Sequence, residues 1–154
     1  MNGHGSNVPF LDIAARNITN RTAAVCALIS WWSLVPPELF AELRESEYPG
    51  GMAHGCELET SVLLHLRPDL VQCDKAEKDI HFPRTEFFYW DLQTPSQVVF
   101  QEWFSRYSRT GTVGDPTKAT AEKGRRFSEA VTGRLGQLIR EFRARAIEPR
   151  VDHH

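Results

Sequence analysis

Residues Thr22 to Ser30 (TAAVCALIS) form a nearly continuous apolar run bounded by polar residues. A segment with no polar face to offer water has the pattern of a β-strand buried on both sides of a parallel sheet. Such a strand needs strands beside it and helices above and below, so it constrains the whole chain to layers. The rest of the sequence supplies the helices. Val8 to Ala15 predicts one, with Ser6 or Asn7 as N-cap and Phe10, Ile13 and Ala14 on a single face. Pro36 and Pro37 suit the first turn of a short helix running to about Leu43, because proline has no N–H to leave unpaired there.

Glu57 to Leu66 repeats Leu58, Val62, Leu63 and Leu66 at helical spacing until Pro68 stops it. Asp115-Pro116 predicts the start of a long C-terminal helix whose stripe is Phe127, Val131, Leu135, Leu138, Ile139 and Phe142. Arg125, Arg126, Arg134, Arg140, Arg143 and Arg145 mostly occupy its other, solvated face. Glu45 to Gly55 reads as loop, broken by Pro49-Gly50-Gly51. Asp69 to Cys73 fits either a helical turn or a strand. Asp74 to Thr94 reads as an extended excursion or hairpin arm, its cluster Phe87 to Trp90 suited to core or subunit contact. The expected fold class is α/β, in three αβα layers around a mostly parallel sheet.

At 154 residues the chain is the size of one domain, with no internal repeat or second-domain boundary. A formal charge of −2 gives no electrostatic reason to expect nucleic acid or an anionic membrane as a partner. No apolar run approaches the roughly 20 residues of a transmembrane helix. Cys26, Cys56 and Cys73 are irregularly spaced, which favours a reducing, cytoplasmic setting over a disulfide frame. His153 and His154 fit either a native terminus or a cloning remnant.

Two loops carry the candidate chemistry. Asn2-Gly3-His4-Gly5-Ser6-Asn7 sets His4 between glycines, immediately before a helix. Gly50-Gly51-Met52-Ala53-His54-Gly55 presents His54, and Glu59 follows on the first turns of the next helix. Imidazole nitrogen and carboxylate oxygen form a common ligand set for zinc or manganese, and a histidine moves protons near neutral pH. On spacing alone such residues are more often caps and surface groups than catalysts. Cys56 lies beside them without a base placed by sequence, so it reads as a small buried hydrophobe. His65 and His81 show no partner pattern and read as structural or surface residues.

Three segments together bring a family into view. Asn2 to Asn7 resembles the NGHGGN loop of the creatininase family of metal-dependent amidohydrolases. Ala53 to Ser61 resembles its HAGxxETS motif, and Gly111 to Gly124 is similar to its GVxGDPxxAT segment. All three stand in family order and span nearly the whole chain. The resemblance implies a three-layer α/β fold, a two-metal site holding Zn, Mn or Fe, and hydrolysis of a C–N bond in a small cyclic or linear amide. By position, it implies that His4 and Glu59 are metal ligands, that His54 handles the proton at the scissile amide, and that Trp32 falls near a substrate-lining aromatic.

The departures bear on substrate and completeness. Creatininase itself carries a glutamate in the first loop, where this chain has Ser6. It also carries an aromatic and an acidic residue shortly before the second-loop histidine, where this chain has Gly50 and Gly51. Creatinine is therefore not the expected substrate. The family takes further ligands from a Glu-x-His pair and an Asp upstream of the first loop, so residues 1–154 are expected to be one partial domain, truncated at the N-terminus. That expectation leaves three readings: the C-terminal portion of a longer amidohydrolase, an inactive remnant or binding subunit, and one half of a split enzyme. A homo-oligomer or a missing N-terminal half is the expected partner.

Overall fold

The computed structural model describes residues 1–151; His153 and His154 lie outside the described residues. Helix α1 is Val8–Arg21, α2 is Pro37–Leu43, α3 is Glu57–Leu66 and α4 is Ala121–Ala144. Strands β1 (Met52–His54) and β2 (Val113–Gly114) pair antiparallel, with an irregularity between Met52 and His54. Outer segments extend this short ribbon by one residue on each side. Leu92 N donates to Met52 O at 2.7 Å on one side, and Asp79 exchanges two backbone hydrogen bonds with Gly114 on the other.

Alternation along β1 divides the interior in two. Met52 enters a cluster with Leu34, Val35, Phe40, Leu43, Cys56, Leu58, Phe127 and Val131, which joins α2, α3 and α4. Ala53 packs on a second cluster of Phe82, Phe88, Tyr107 and Val113. The first cluster depends on close passage of α3 and α4. A Cβ on Gly124 would lie 1.8 Å from the Ser61 carbonyl oxygen, so only glycine lets the backbones approach this far. At the same crossing Thr120 N donates to Ser61 Oγ at 3.1 Å, and Thr120 caps α4 by accepting from Lys123 N at 3.2 Å.

Three ion pairs, two of them sharing Lys123, fix the loops around this core. Lys123 Nζ donates to buried Glu57 Oε1 at 2.6 Å and to the Lys118 carbonyl at 2.9 Å, and it pairs with Glu45 Oε1 at 2.6 Å. Glu57 also accepts from Ser46 N at 2.8 Å. Burial opposes the charge on Lys123, and the carboxylates of Glu45 and Glu57 overcome it, holding the ammonium pKa above its ordinary value. Arg44 pairs with Asp91 at 2.7 Å, and Asp91 in turn accepts from Gly50 N at 2.7 Å. The glycine turn before β1 is thereby tied to α2 and to the aromatic segment.

Helices α2 and α3 form where the spacing predicts them. The expected strand at Thr22 to Ser30 does not form. Residues 22–28 are exposed, Ile29 packs on the first core cluster, and the segment's strand-type pairing among the described residues is one parallel bridge between Asn2 and Ser30. A strand is defined by partners as well as by apolarity, and among the described residues none lies alongside. The mostly parallel sheet is likewise replaced by the antiparallel β1–β2 pair. Helix α1 continues past Ala15 to Arg21, where Thr22 Oγ1 donates back to Ile18 O at 2.8 Å. Its apolar residues Phe10 and Ile13 are exposed. Asp115-Pro116 starts a 3-10 turn, Pro116–Lys118, and α4 begins only at Ala121.

The expected loop before His54 contains β1, and 74–94 is irregular with no hairpin ladder. Within the aromatic segment Phe88 is buried and Phe87 exposed. No helix among the described residues is long and apolar enough to cross a membrane.

Candidate functional site

The two histidine loops meet. The ring centroids of His4 and His54 lie 5.2 Å apart, close to edge-on. Each ring reaches that position by a different device.

His4 hangs from Asn2, a nearly fully buried residue. Asn2 Nδ2 donates to the His4 carbonyl at 2.8 Å and to Ser30 Oγ at 3.1 Å, while Asn2 Oδ1 accepts from His4 N at 3.2 Å. Asn7, rather than capping α1 with its side chain, donates to Asn2 Oδ1 at 3.4 Å. Backbone bonds Asn2 N to Ile29 O (2.7 Å) and Trp31 N to Asn2 O (3.1 Å) anchor the loop to the end of the exposed segment. One asparagine thus satisfies donors and acceptors on both sides of the histidine, which is how a glycine-rich loop acquires a fixed shape.

His54 closes β1 and is followed by Gly55 at φ +56°, a conformation that favours glycine. Glu59 reaches back from the first turn of α3 and accepts from Gly55 N at 2.6 Å, and Thr60 Oγ1 donates to Gly55 O at 3.2 Å. Both polar groups of Gly55 are therefore held by α3. Across the strand, Thr112 packs against Gly55, with Cγ2 2.9 Å from where a Cβ would sit. Thr112 is itself hydrogen-bonded through Thr110 Oγ1 (2.9 Å) to buried Asp79, whose Oδ2 accepts from Thr110 Oγ1, Thr110 N, Arg109 N and Ser108 Oγ at 2.7–3.0 Å. Burial opposes the Asp79 charge, and these donors overcome it, keeping the carboxyl below its ordinary range. His81 Nε2 stands 3.3 Å from Asp79 Oδ1, a pairing that spacing did not reveal.

Phe104 packs edge-on against His54 with centroids 5.1 Å apart, and Trp90 stacks behind Phe104 at 6.1 Å. Trp32, by contrast, packs on the first core cluster with its ring against Trp31. Cys56 is fully buried, which raises its thiol to about 12, with the nearby Glu59 carboxylate adding to the rise. A thiol so protonated is no nucleophile, in accord with its reading as a small hydrophobe. His65 is exposed.

The donor chemistry of His4 and Glu59 suits a divalent metal, but Glu59 Oε2 is already engaged by Gly55. Among the described residues no three His, Cys, Asp or Glu side chains converge as a metal site. His4 and Glu59 alone are fewer donors than a divalent ion takes from a protein in a defined site.

Asn2 as a support, Asp79 and Phe104 are not among the residues that the sequence singles out. Asn2 had a signal, a polar residue at the head of a glycine loop. Asp79 and Phe104 had none, because their partners lie far along the chain.

Comparison with known proteins places the chain in a family. A creatininase (creatinine amidohydrolase) family model matches residues 1–139. The mycofactocin precursor peptide peptidase of Mycobacterium ulcerans (strain Agy99) is 32% identical over 146 residues, covering 91% of this chain and 47% of that protein. The creatinine amidohydrolase of Pseudomonas putida is 30% identical over 151 residues, covering 92% and 54%. The solved manganese form of creatininase superposes with a TM-score of 0.62 at 26% identity, covering 92% of this chain and 51% of that one. A Zn-Zn form of a creatininase variant gives 0.60 at 26% identity, with the same coverage of 92% and 51%. The chain spans about half the length of the curated relatives it matches. With the two histidine loops and the α3 glutamate standing in one fold and one order, this chain belongs to the creatininase family.

Proposed function

We propose that this chain carries the proton-handling half of a metal-dependent amidohydrolase site that cleaves a C–N bond in a cyclic or linear amide. The observation that supports it best is the meeting of His4 and His54 at 5.2 Å, each on a loop fixed by part-buried hydrogen bonds. His54 delivers a proton from an imidazole nitrogen to the departing nitrogen, a common role for histidine in general acid–base catalysis. His4 and Glu59 are the proposed ligands, and Trp32 the proposed aromatic lining. A divalent ion, zinc or manganese as in the solved relatives, or iron, lowers the pKa of its bound water and polarises the amide carbonyl when present. A complete family site holds two ions.

A second reading has its own support. Phe10, Ile13, Ile18, Val25 and Leu28 are all exposed on α1 and the segment after it. An apolar surface of this kind is covered in a working protein. Its cover is the proposed source of the remaining ligands, whether a preceding segment of the same polypeptide, a separate subunit or a homo-oligomer. Without that cover the chain is an inactive fragment or a binding subunit. Reading the coding DNA on the 5′ side of the Met1 codon separates these sources. An in-frame extension bearing Glu-x-His and Asp gives one long enzyme, a neighbouring short frame bearing them gives a split one, and neither gives the inactive form.

The hydrolase reading is tested on the covered, metal-loaded assembly. His54→Gln should lower kcat about 10²- to 10⁴-fold with metal content unchanged, and His4→Ala and Glu59→Ala should each release metal. Full activity in His54→Gln, or full metal retention in both ligand variants, overturns it.

A further inference from the structure

The wall beside His54 is aromatic and is built from behind. Trp90 stacks on Phe104 with an interplanar angle of 27°, and Tyr107 packs edge-on against Trp90 at 4.9 Å. Tyr107 is buried and also contacts Phe88, so the rings continue into the second core cluster. Phe104 is the member of this stack that touches His54, and it remains 37% exposed. The neighbouring acid offers no free charge to the wall. Glu102 accepts from Tyr107 Oη at 2.8 Å and pairs with Arg106 at 2.5 Å, and these partners hold its carboxyl below the ordinary value.

We infer that Phe104, backed by Trp90, is a specificity-determining residue: it receives an aromatic side group adjoining the amide that His54 addresses. The Phe104 ring centroid lies 5.1 Å from that of His54, so a substituent on an amide held within hydrogen-bond reach of His54, about 2.6–3.2 Å, has the Phe104 ring as a neighbour. An aromatic substituent gains there both removal of apolar area from water and ring-to-ring geometry, whereas a small polar one gains neither. The inference rests on the proposed amidohydrolase site for the identity of the amide, yet it concerns binding and needs neither metal nor turnover.

The test uses the 154-residue chain and two neutral probes, N-acetylphenylalaninamide and N-acetylglycinamide, followed by the imidazole NMR signals of His54. The aromatic probe should move those signals saturably and bind about tenfold more tightly than the glycine probe. Phe104→Ala should abolish the preference while leaving the ligand-free backbone spectrum of α3 and α4 in place. Phe104→Tyr should keep the preference. If Phe104→Ala unfolds the chain, Phe104→Leu carries the test, with the preference falling at least threefold. Equal affinity for the two probes in the parent chain, or an undiminished preference in a folded Ala or Leu variant, overturns the inference. Aromatic preference without amide cleavage by the covered, metal-loaded assembly would instead count against the hydrolase reading and leave the wall standing.

Discussion

The chain contains two apolar surfaces of similar composition and opposite fate. Leu58, Phe127, Met52 and Val131 bury themselves between α3, α4 and β1, while Phe10, Ile13, Ile18, Val25 and Leu28 face water on α1 and the segment after it. The difference is one of partners. The α3–α4 crossing brings its own complement, down to the glycine that admits a backbone carbonyl, whereas the N-terminal face meets none among the described residues. The candidate site lies where these regions touch: His54 and Glu59 belong to the closed side, and His4 to the open one. Half of the candidate site is thus held by α3 through Gly55, and the other half mainly by Asn2.

The largest break in this contrast should come from Lys123→Ala. It leaves Glu57 buried without its cation, and loss of one partner of a buried pair costs about 3–5 kcal/mol, read as a fall in the urea midpoint. Gly124→Ala should follow at about 3 kcal/mol, the upper end of overpacking costs, because its methyl meets the Ser61 carbonyl. Thermal unfolding checks it. Asp79→Asn should cost about 2 kcal/mol through weakened bonds to Ser108, Arg109 and Thr110.

That last contribution has a pH signature. The folded carboxyl of Asp79 titrates below its unfolded value, so its stabilisation is complete above that value, about 3.9. It fades as pH falls further, through the folded pKa. The parent should lose stability more steeply than Asp79→Asn in that acid window, measured by urea titrations at successive pH values. The smallest effect belongs to the open face: Phe10→Ser and Val25→Ser in the isolated chain should each change stability by no more than about 0.5 kcal/mol. A loss above 2 kcal/mol for either would show that the face is packed and would dissolve the contrast.

What could be read in the sequence follows the same division. The α3 stripe and the Pro36-Pro37 start are local patterns, and local spacing suffices to place α2 and α3. The loop histidines were legible because glycine marks where backbone conformation is special, and because three motifs agreed in order. Thr22 to Ser30 misled for a physical reason: apolarity reports that a segment seeks cover, and a strand also requires a neighbour to bond. Asp79 was hidden in a mixed-charge stretch, since its donors lie some thirty residues onward at Ser108 to Thr110. Phe104 gave no periodic signal, for its place beside His54 arises from the β1–β2 pairing and the Trp90 stack behind it.

The proposal that this chain carries half of a metal site, with an incomplete ligand set, stands or falls on metal retention. Residues 1–154, equilibrated with zinc or manganese and passed through gel filtration, should keep well under one equivalent per chain and hydrolyse no amide. Retention of about two tightly held ions, the number a two-metal hydrolytic site uses, together with unaided amide hydrolysis, would contradict it.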